Sequence, residues 1–197
     1  MSYGTPVEAT TTYKDLELRI QNIAAGIKSK LSWLTYSFGL ADRFVEMRDK
    51  KSFVFPGVYQ ALNTKDPVPL MPSDLYPAFS FWVKGESEKP EYNFSRVWID
   101  VSFILFCDLK HIAPTTEYRL SKTKIRQDVL EALRQNQYGG YGVLIHQGFV
   151  EDDLSDIYNG FSVEQLDNKY KMLPKYALRV NFKFGYLLTC GAFNTYA

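Results

Sequence analysis

The stretch from Ser95 to Leu109, SRVWIDVSFILFCDL, limits the possible folds of this chain more than any other. Successive side chains of a β-strand point to opposite faces. One face of this stretch is wholly apolar and consists of Val97, Ile99, Val101, Phe103, Leu105 and Cys107. The other face is mixed and consists of Arg96, Trp98, Asp100, Ser102, Ile104, Phe106 and Asp108. The pattern predicts a long central strand that has one face on a core and the other partly buried or in an interface.

Two segments have the periodicity of amphipathic helices. Leu16, Ile20, Ile23, Ile27 and Leu31 fall on one side of a helix predicted from Tyr13 to Leu31. A second helix is predicted between Thr116 and Asn136, with Thr116 or Ser121 as the N-cap. The glycines at 139 and 140 are expected to stop it. Each helix has an apolar side that can pack on a sheet.

Short alternating runs between Ser32 and Ala61 predict a meander of strands. The runs are Leu34 to Phe38, Phe44 to Met47, Ser52 to Phe55 and Val58 to Ala61, with breaks that include Pro56 and Gly57. A proline-rich loop, NTKDPVPLMPSDLYP, follows from Asn63 to Pro77. Ala78 to Lys84 is then predicted as a strand, and Gly85 to Phe94 as a polar hairpin loop that leads into the central strand.

The last third of the chain predicts two more strands and an acidic segment. Val143 to Val150 is a short strand, and Ala177 to Leu188 alternates with Leu178, Val180, Phe182, Phe184, Tyr186 and Leu188 facing inward. Glu151 to Asp167 has six acidic residues and no Lys or Arg, which predicts an excursion on the surface.

These elements together predict the α+β class. We expect a mostly antiparallel sheet, a meander plus a long hairpin, with two amphipathic helices packed on it. The aromatic content of 16% favours β-structure and protein interfaces over a helical bundle. The predicted organisation is an N-terminal arm at 1–12, one domain at 13–190 with an acidic surface insertion at 151–175, and a C-terminal arm at 191–197.

No combination of residues encodes a recognisable catalytic or cofactor site. His111 and His146 have no Glu or Cys at ligand spacing, and the chain has no nucleophile elbow, zinc-protease motif or phosphate-binding glycine loop. Cys107 and Cys190 are too few and too far apart for a disulfide framework or a zinc site. We therefore expect no enzymatic activity, no cofactor and no metal. A hydrolase would need a convergent group of titratable residues.

Charged residues in two segments are candidates for contacts between subunits. Arg119, Lys122 and Arg126 lie within about 60° of each other on the second predicted helix. Their partner would be a phosphate backbone or the acidic segment of a neighbouring copy, and the net charge of +1 favours the neighbour. A solvated helix flank is the simpler alternative. The candidate acidic residues are Glu151, Asp152, Asp153 and Asp156.

The same acidic residues could hold a cation, but they lack the spacing of a calcium loop. A solvated or interfacial segment is the preferred interpretation. Like charges without a compensating base repel one another, so the segment is expected to be mobile in a free subunit and ordered by a basic neighbour.

Both ends of the chain are predicted to be assembly arms. The N-terminal residues are rich in threonine, and the C-terminal ones offer Phe193 and Tyr196 as anchors for a pocket on another chain. Simple disorder is the alternative for both. The start of the chain lacks the features of a secretory signal, and no run reaches the roughly 18 apolar residues of a membrane helix. We expect the protein to be made and assembled in a reducing cytoplasm, without membrane contact.

The order of elements and the NTKDPVPLMPSD loop suggest a family. A first helix, a strand meander with a long hairpin, a second helix and two closing strands resemble the tail-terminator and head-to-tail connector proteins of tailed bacteriophages. In its general character, the chain most resembles the neck ring proteins of crAss-like phages. This resemblance implies a virion protein that forms a ring around the DNA channel. Its partners would be copies of itself, adjacent portal, connector or tail proteins, and packaged DNA without sequence specificity.

Alternating strands and extended arms serve a second class of protein equally well. A non-catalytic adaptor can bind its partner by adding a strand to an exposed sheet edge. The oligomeric state of the chain distinguishes this alternative from a ring subunit.

Overall fold

The computed structural model describes residues 14–58, 67–90, 96–112, 118–136, 138–139, 142–164, 166 and 168–187. The helices are α1 (Lys14–Lys30), α2 (Leu109–Ile112), α3 (Tyr118–Gln135) and α4 (Leu154–Ile157), with a 3₁₀ turn at Asn168–Tyr170. The strands are β1 (Tyr36–Leu40), β2 (Asp42–Arg48), β3 (Lys51–Val58), β4 (Val68–Pro69), β5 (Ala78–Pro90), β6 (Arg96–Asp108), β7 (Tyr138–Gly139), β8 (Gly142–Glu151) and β9 (Lys175–Leu187).

Six of the strands form one sheet in the order β1-β5-β6-β9-β8-β7. The pair β1–β5 is parallel, and the other pairs of this sheet are antiparallel. The predicted central strand is β6, which pairs with β9 from Arg96 to Asp108. The predicted fold class, α+β with a mostly antiparallel sheet, is therefore confirmed.

The first face of the large sheet lies under α1 and α3. The apolar face predicted for the central strand, from Val97 to Cys107, is buried there together with the inward residues of β9. Each fully buried Leu or Phe contributes about 1.5–3 kcal/mol of hydrophobic stabilisation. Cys107 is a free thiol in this core, and burial raises its pKa far above the ordinary value, so the thiol stays protonated.

The second face of the sheet is covered at one end only. Phe81, Ile104 and Phe106 lie there in a second core with Leu70 and Tyr158. Small parts of the chain cover it, namely the β3–β4 region and the segment around α4. The mixed face predicted for the central strand thus divides into a buried half and an open half.

The predicted meander is divided between two sheets. β1 joins the large sheet, whereas β2, β3 and β4 form a separate three-stranded sheet. The predicted break at Pro56 and Gly57 is wrong, because both residues lie within β3 and pair with Arg43 and Asp42. Pro56 lacks an N–H but its carbonyl accepts from Leu70 N at 2.7 Å. A Cβ on Gly57 would lie 2.7 Å from the Phe44 ring, so glycine permits this close approach.

The predicted loop after Lys84 is also wrong at its start. β5 continues to Pro90 and pairs with β6 beyond a register shift between Lys84 and Glu88. Its polar residues mislead the prediction because backbone pairing with β6 continues through them whatever their side chains.

The acidic segment is not the surface excursion that the sequence predicts. Its apolar side chains Leu154, Ile157, Tyr158, Phe161 and Val163 are all buried in the second core. The Asp153 carboxylate accepts from Ser155 N at 2.8 Å and caps α4. Packing of the apolar residues orders this segment within a single chain, and its carboxylates at 152, 153, 156 and 164 are exposed.

Several predictions fall outside the described residues. These are the two arms with Phe193 and Tyr196, the second cysteine Cys190, and the side chain of Arg119.

Candidate subunit-contact site

The predicted basic and acidic contact residues meet at the junction of α3 with β8. Arg126 Nη1 donates to Glu151 Oε1 at 2.7 Å. One helical turn earlier, Lys122 forms an ion pair with Asp152. Residues four apart on a helix lie on the same side, so the two cations face two consecutive carboxylates at the end of β8.

Aromatic rings complete this charge cluster. Tyr176 of β9 donates its hydroxyl to Glu151 Oε2 at 2.9 Å. The Arg126 guanidinium lies 5.7 Å from the Phe149 ring centre, and Lys122 Nζ lies 5.5 Å from that of Tyr176. Burial, followed by the hydrogen bond to the Glu151 carboxylate, raises the pKa of Tyr176 well above its ordinary range. Both oxygens of Glu151 are therefore occupied by donors of the same chain.

This arrangement changes the expected partner of the basic helix face. The sequence predicts that Lys122 and Arg126 contact the acidic segment of another copy, whereas the structure pairs them with that segment in the same chain. Asp153 caps α4, and Asp156 is exposed on that helix. A further contact of these residues with a neighbouring subunit stays a prediction.

The alternative of a metal site receives no support from the described part of the chain. Within those residues, no group of three or more His, Cys, Asp or Glu side chains is placed to hold a metal ion. His111 ends up exposed on α2, and His146 lies exposed on β8 against the Phe182 ring, 5.8 Å between centres.

The structure also reveals two sheet edges that the sequence does not predict. β8 pairs with β9 on one side, and on its other side it pairs with β7 only at Gly142 and Val143. β5 pairs with β6 on one side, and β1 covers its other side only from Phe79 to Trp82. Over the ranges that the structure describes, the outer edges of β8 from residue 144 and of β5 from residue 83 pair with no strand.

The two open edges lie at the same height in the sheet. The register places His146 beside Phe182, Phe182 beside Val101, and Val101 beside Lys84. Two residues further along β9, the pairings run from Leu144 of β8 through Phe184 and Ile99 to Glu88 of β5. The strands run in opposite directions, because three antiparallel pairings separate β5 from β8.

Exposed side chains flank the β8 edge. Ile145 is 41% exposed and Phe149 is 43% exposed, although both lie in a strand. These apolar residues were visible in the sequence. Alternation, however, indicates which face of a sheet a side chain lies on, and it does not indicate whether the strand has a neighbour on each side.

No protein-family model matches this chain, and no curated protein sequence matches it significantly. None of the helices found in the described ranges has the length and apolar character needed to cross a membrane.

Proposed function

We propose that this chain is a structural virion protein that forms a closed ring of identical subunits in the head-to-tail connector of a tailed phage. The ring would surround the DNA channel and contact adjacent portal, connector or tail proteins. The assignment to a phage neck rests on the resemblance in element order. The ring itself is supported by the two open edges of the large sheet.

In a closed ring, one surface of each subunit binds a different surface of the next subunit. The two surfaces must lie at the same level along the ring axis, because otherwise the subunits would form an open helix. The β8 edge and the β5 edge support such an assembly, because residues 144–148 of one are level with residues 83–88 of the other. If copies are related by rotation about an axis along the strands, β8 of one meets β5 of the next in antiparallel orientation. Such pairing would satisfy backbone groups that edge strands leave open.

An adaptor that captures a partner strand is the second candidate function. The same open β8 edge, with Ile145 and Phe149 beside it, suits an added strand of a different protein. The two functions differ in what pairs with that edge, which is a second copy for the ring and a foreign segment for the adaptor.

Paired cysteines test the ring directly. His146→Cys and Lys84→Cys place thiols in the same row and on the same face of the two edges, where neighbouring strands bring Cα atoms to about 5.5 Å. We expect the double variant of the full-length chain, oxidised in its native assembly, to form covalent multimers on non-reducing gels. Each single variant should give no more multimer than the wild type, whose thiols are those of Cys107 and Cys190.

A matched pair on other elements serves as the control. Lys51 and Lys171 are exposed and belong to neither edge, so the variant with cysteines at both should not form a multimer ladder. A native assembly in which this chain is a monomer contradicts the proposal. Ring formation without the 84–146 cross-link would keep the ring but reject these edges as its interface.

A further inference from the structure

A shallow hollow lies on the open half of the second sheet face. Its volume is about 360 Å³, and its lining includes Val83, Asp100, Ser102, Gln147, Arg179 and Asn181. It spans the row of the sheet in which Ser102 pairs with Asn181. Lys84 and Gln147 of the two edge strands also line it, whereas no residue of the charge cluster of α3 and β8 does.

Arg179 is a half-buried cation that has only neutral partners. Its Nε donates to Asn181 Oδ1 at 2.9 Å, its Nη2 to Ser102 Oγ at 2.9 Å, and its Nη1 to the Ile157 carbonyl at 3.4 Å. No carboxylate of the described residues forms an ion pair with it, and burial lowers the pKa of its guanidinium. A charge removed from water without a counter-charge is costly.

The hydrogen bonds around Arg179 occupy the carbonyl oxygen of Asn181 and leave N–H donors of Arg179 and Asn181 without a partner among the described residues. Asn181 Oδ1 accepts from both Arg179 Nε and Ser102 Oγ, the latter at 2.8 Å. These two donors fix the amide orientation, so Asn181 presents its NH₂ group to the hollow. A guanidinium has five N–H groups, and Arg179 uses three of them, which leaves one on each terminal nitrogen.

We propose that this hollow binds a carboxylate carried by an acidic side chain of a protein partner. The paired N–H groups of a guanidinium match the two oxygens of a carboxylate in one plane. The exposed carboxylate of Asp100 lines the same hollow and would repel a long polyanion such as a DNA backbone more than a single acidic group. The test of this proposal does not need the ring, since its probe is a small molecule, although the hollow reaches residues 83–85 of β5 and Gln147 of β8.

The first test measures binding of a minimal acidic side chain to the full-length protein. The probe is N-acetyl-glutamate α-amide, its neutral control is N-acetyl-glutamine amide, and sodium phosphate is compared at the same ionic strength. Nuclear magnetic resonance follows the Arg179 Nε–H and the Asn181 NH₂ signals. We expect the glutamate probe to shift both signals in a saturable manner, and the glutamine probe to leave them in place.

Variants then assign the effect to the hollow. Asn181→Asp gives Arg179 the counter-charge it lacks and keeps an acceptor for Ser102, so the folded variant should bind the glutamate probe at least about tenfold more weakly. Arg179→Lys keeps the positive charge but loses the paired N–H groups of the guanidinium, so it should also weaken binding of the glutamate probe. Lys183→Gln, which removes a neighbouring charge of β9, should change the dissociation constant less than about twofold.

Three results would overturn the proposal. The first is a wild-type protein whose Arg179 and Asn181 signals do not respond to the glutamate probe. The second is tighter binding of phosphate than of the glutamate probe, which would reassign the hollow to phosphoryl groups. The third is an equal loss of binding in Lys183→Gln and Asn181→Asp, which would indicate general attraction to a basic surface.

Discussion

Arg126 and Glu151 are 25 residues apart in the chain, yet Nη1 of one lies 2.7 Å from Oε1 of the other. Their side chains are 31% and 18% exposed, so the pair is partly shielded from water. It connects α3 to the end of β8, at the start of the acidic segment. Because Tyr176 donates to the second oxygen of the same carboxylate, Glu151 joins three elements.

This pair should contribute to the stability of a single subunit. We expect Glu151→Gln and Arg126→Met each to lower the free energy of unfolding by about 1–2 kcal/mol, with a coupling of about 1 kcal/mol in a double-mutant cycle measured by urea unfolding. The exposed pair Glu131 and Arg134 is a matched control with a smaller coupling, since solvent screens it. Additive effects at 126 and 151 would show that the two side chains do not interact.

Because of this pair, a charge reversal at Arg126 should affect the stability of a single subunit as well as assembly. Arg126→Glu places a carboxylate beside Glu151, so it should lower the thermal unfolding temperature of the isolated subunit as well as any assembly. The loss should be larger at low salt, because screening weakens the repulsion. If assembly falls while the unfolding temperature of the subunit is unchanged at low salt, Arg126 acts between subunits instead.

The buried residues of the acidic segment should behave as core residues. Ile157 is fully buried, so Ile157→Ala should destabilise the protein by about 2–4 kcal/mol in urea unfolding. Its exposed neighbour provides the control, and Asp156→Ala should change stability by less than about 0.5 kcal/mol. Equal, small effects of both substitutions would mean that the segment does not pack as described.

The hydroxyl of Tyr158 should be dispensable. The ring is fully buried with its centre 5.8 Å from that of Phe81, and the hydroxyl has no hydrogen-bond partner among the described residues. Burial of a polar group without a partner costs about 1–3 kcal/mol. Tyr158→Phe keeps the ring and removes that cost, so it should leave the free energy of unfolding unchanged or raise it by about 1 kcal/mol. A clear loss of stability would indicate a partner for the hydroxyl.

Glu17 should make the protein less stable as the pH rises. Burial, followed by repulsion from Asp42, raises its pKa above the ordinary value of 4.5, while Lys84 opposes the shift. The folded state therefore holds this proton more tightly than the unfolded state does. Its contribution to stability is present at low pH and is lost as the pH rises from 4.5 through the raised pKa.

The matching variant is Glu17→Gln, which cannot ionise. We expect it to unfold at a higher temperature than the wild type at about pH 7, with a smaller difference at about pH 4. A variant that is equally stabilised at both pH values would point to a cause other than ionisation of this carboxyl group.

The alternating strands were the part of the fold that local sequence predicts best. The buried face of β6 and the inward residues of β9 follow directly from a period of two, because each side chain in a strand is assigned to a face by its position alone. The helices α1 and α3 follow from a period near 3.6 for the same reason. Polar residues misled the prediction after Gly85, and Pro56 with Gly57 misled it as turn residues, because pairing with another strand overrode both local signals.

The sequence by itself determined which side of β6, β9, α1 and α3 faces the first core, since that depends on periodicity within one element. Tertiary structure alone decided which elements become neighbours. It placed β1 beside β5, turned the apolar residues of the acidic segment into a second core, and paired Arg126 with Glu151 in the same chain. Among the described residues, it also left the edges of β5 and β8 unpaired at the same level of the sheet. These relations join residues far apart in the chain, and their free energy depends on the path of the whole backbone, which no local pattern encodes.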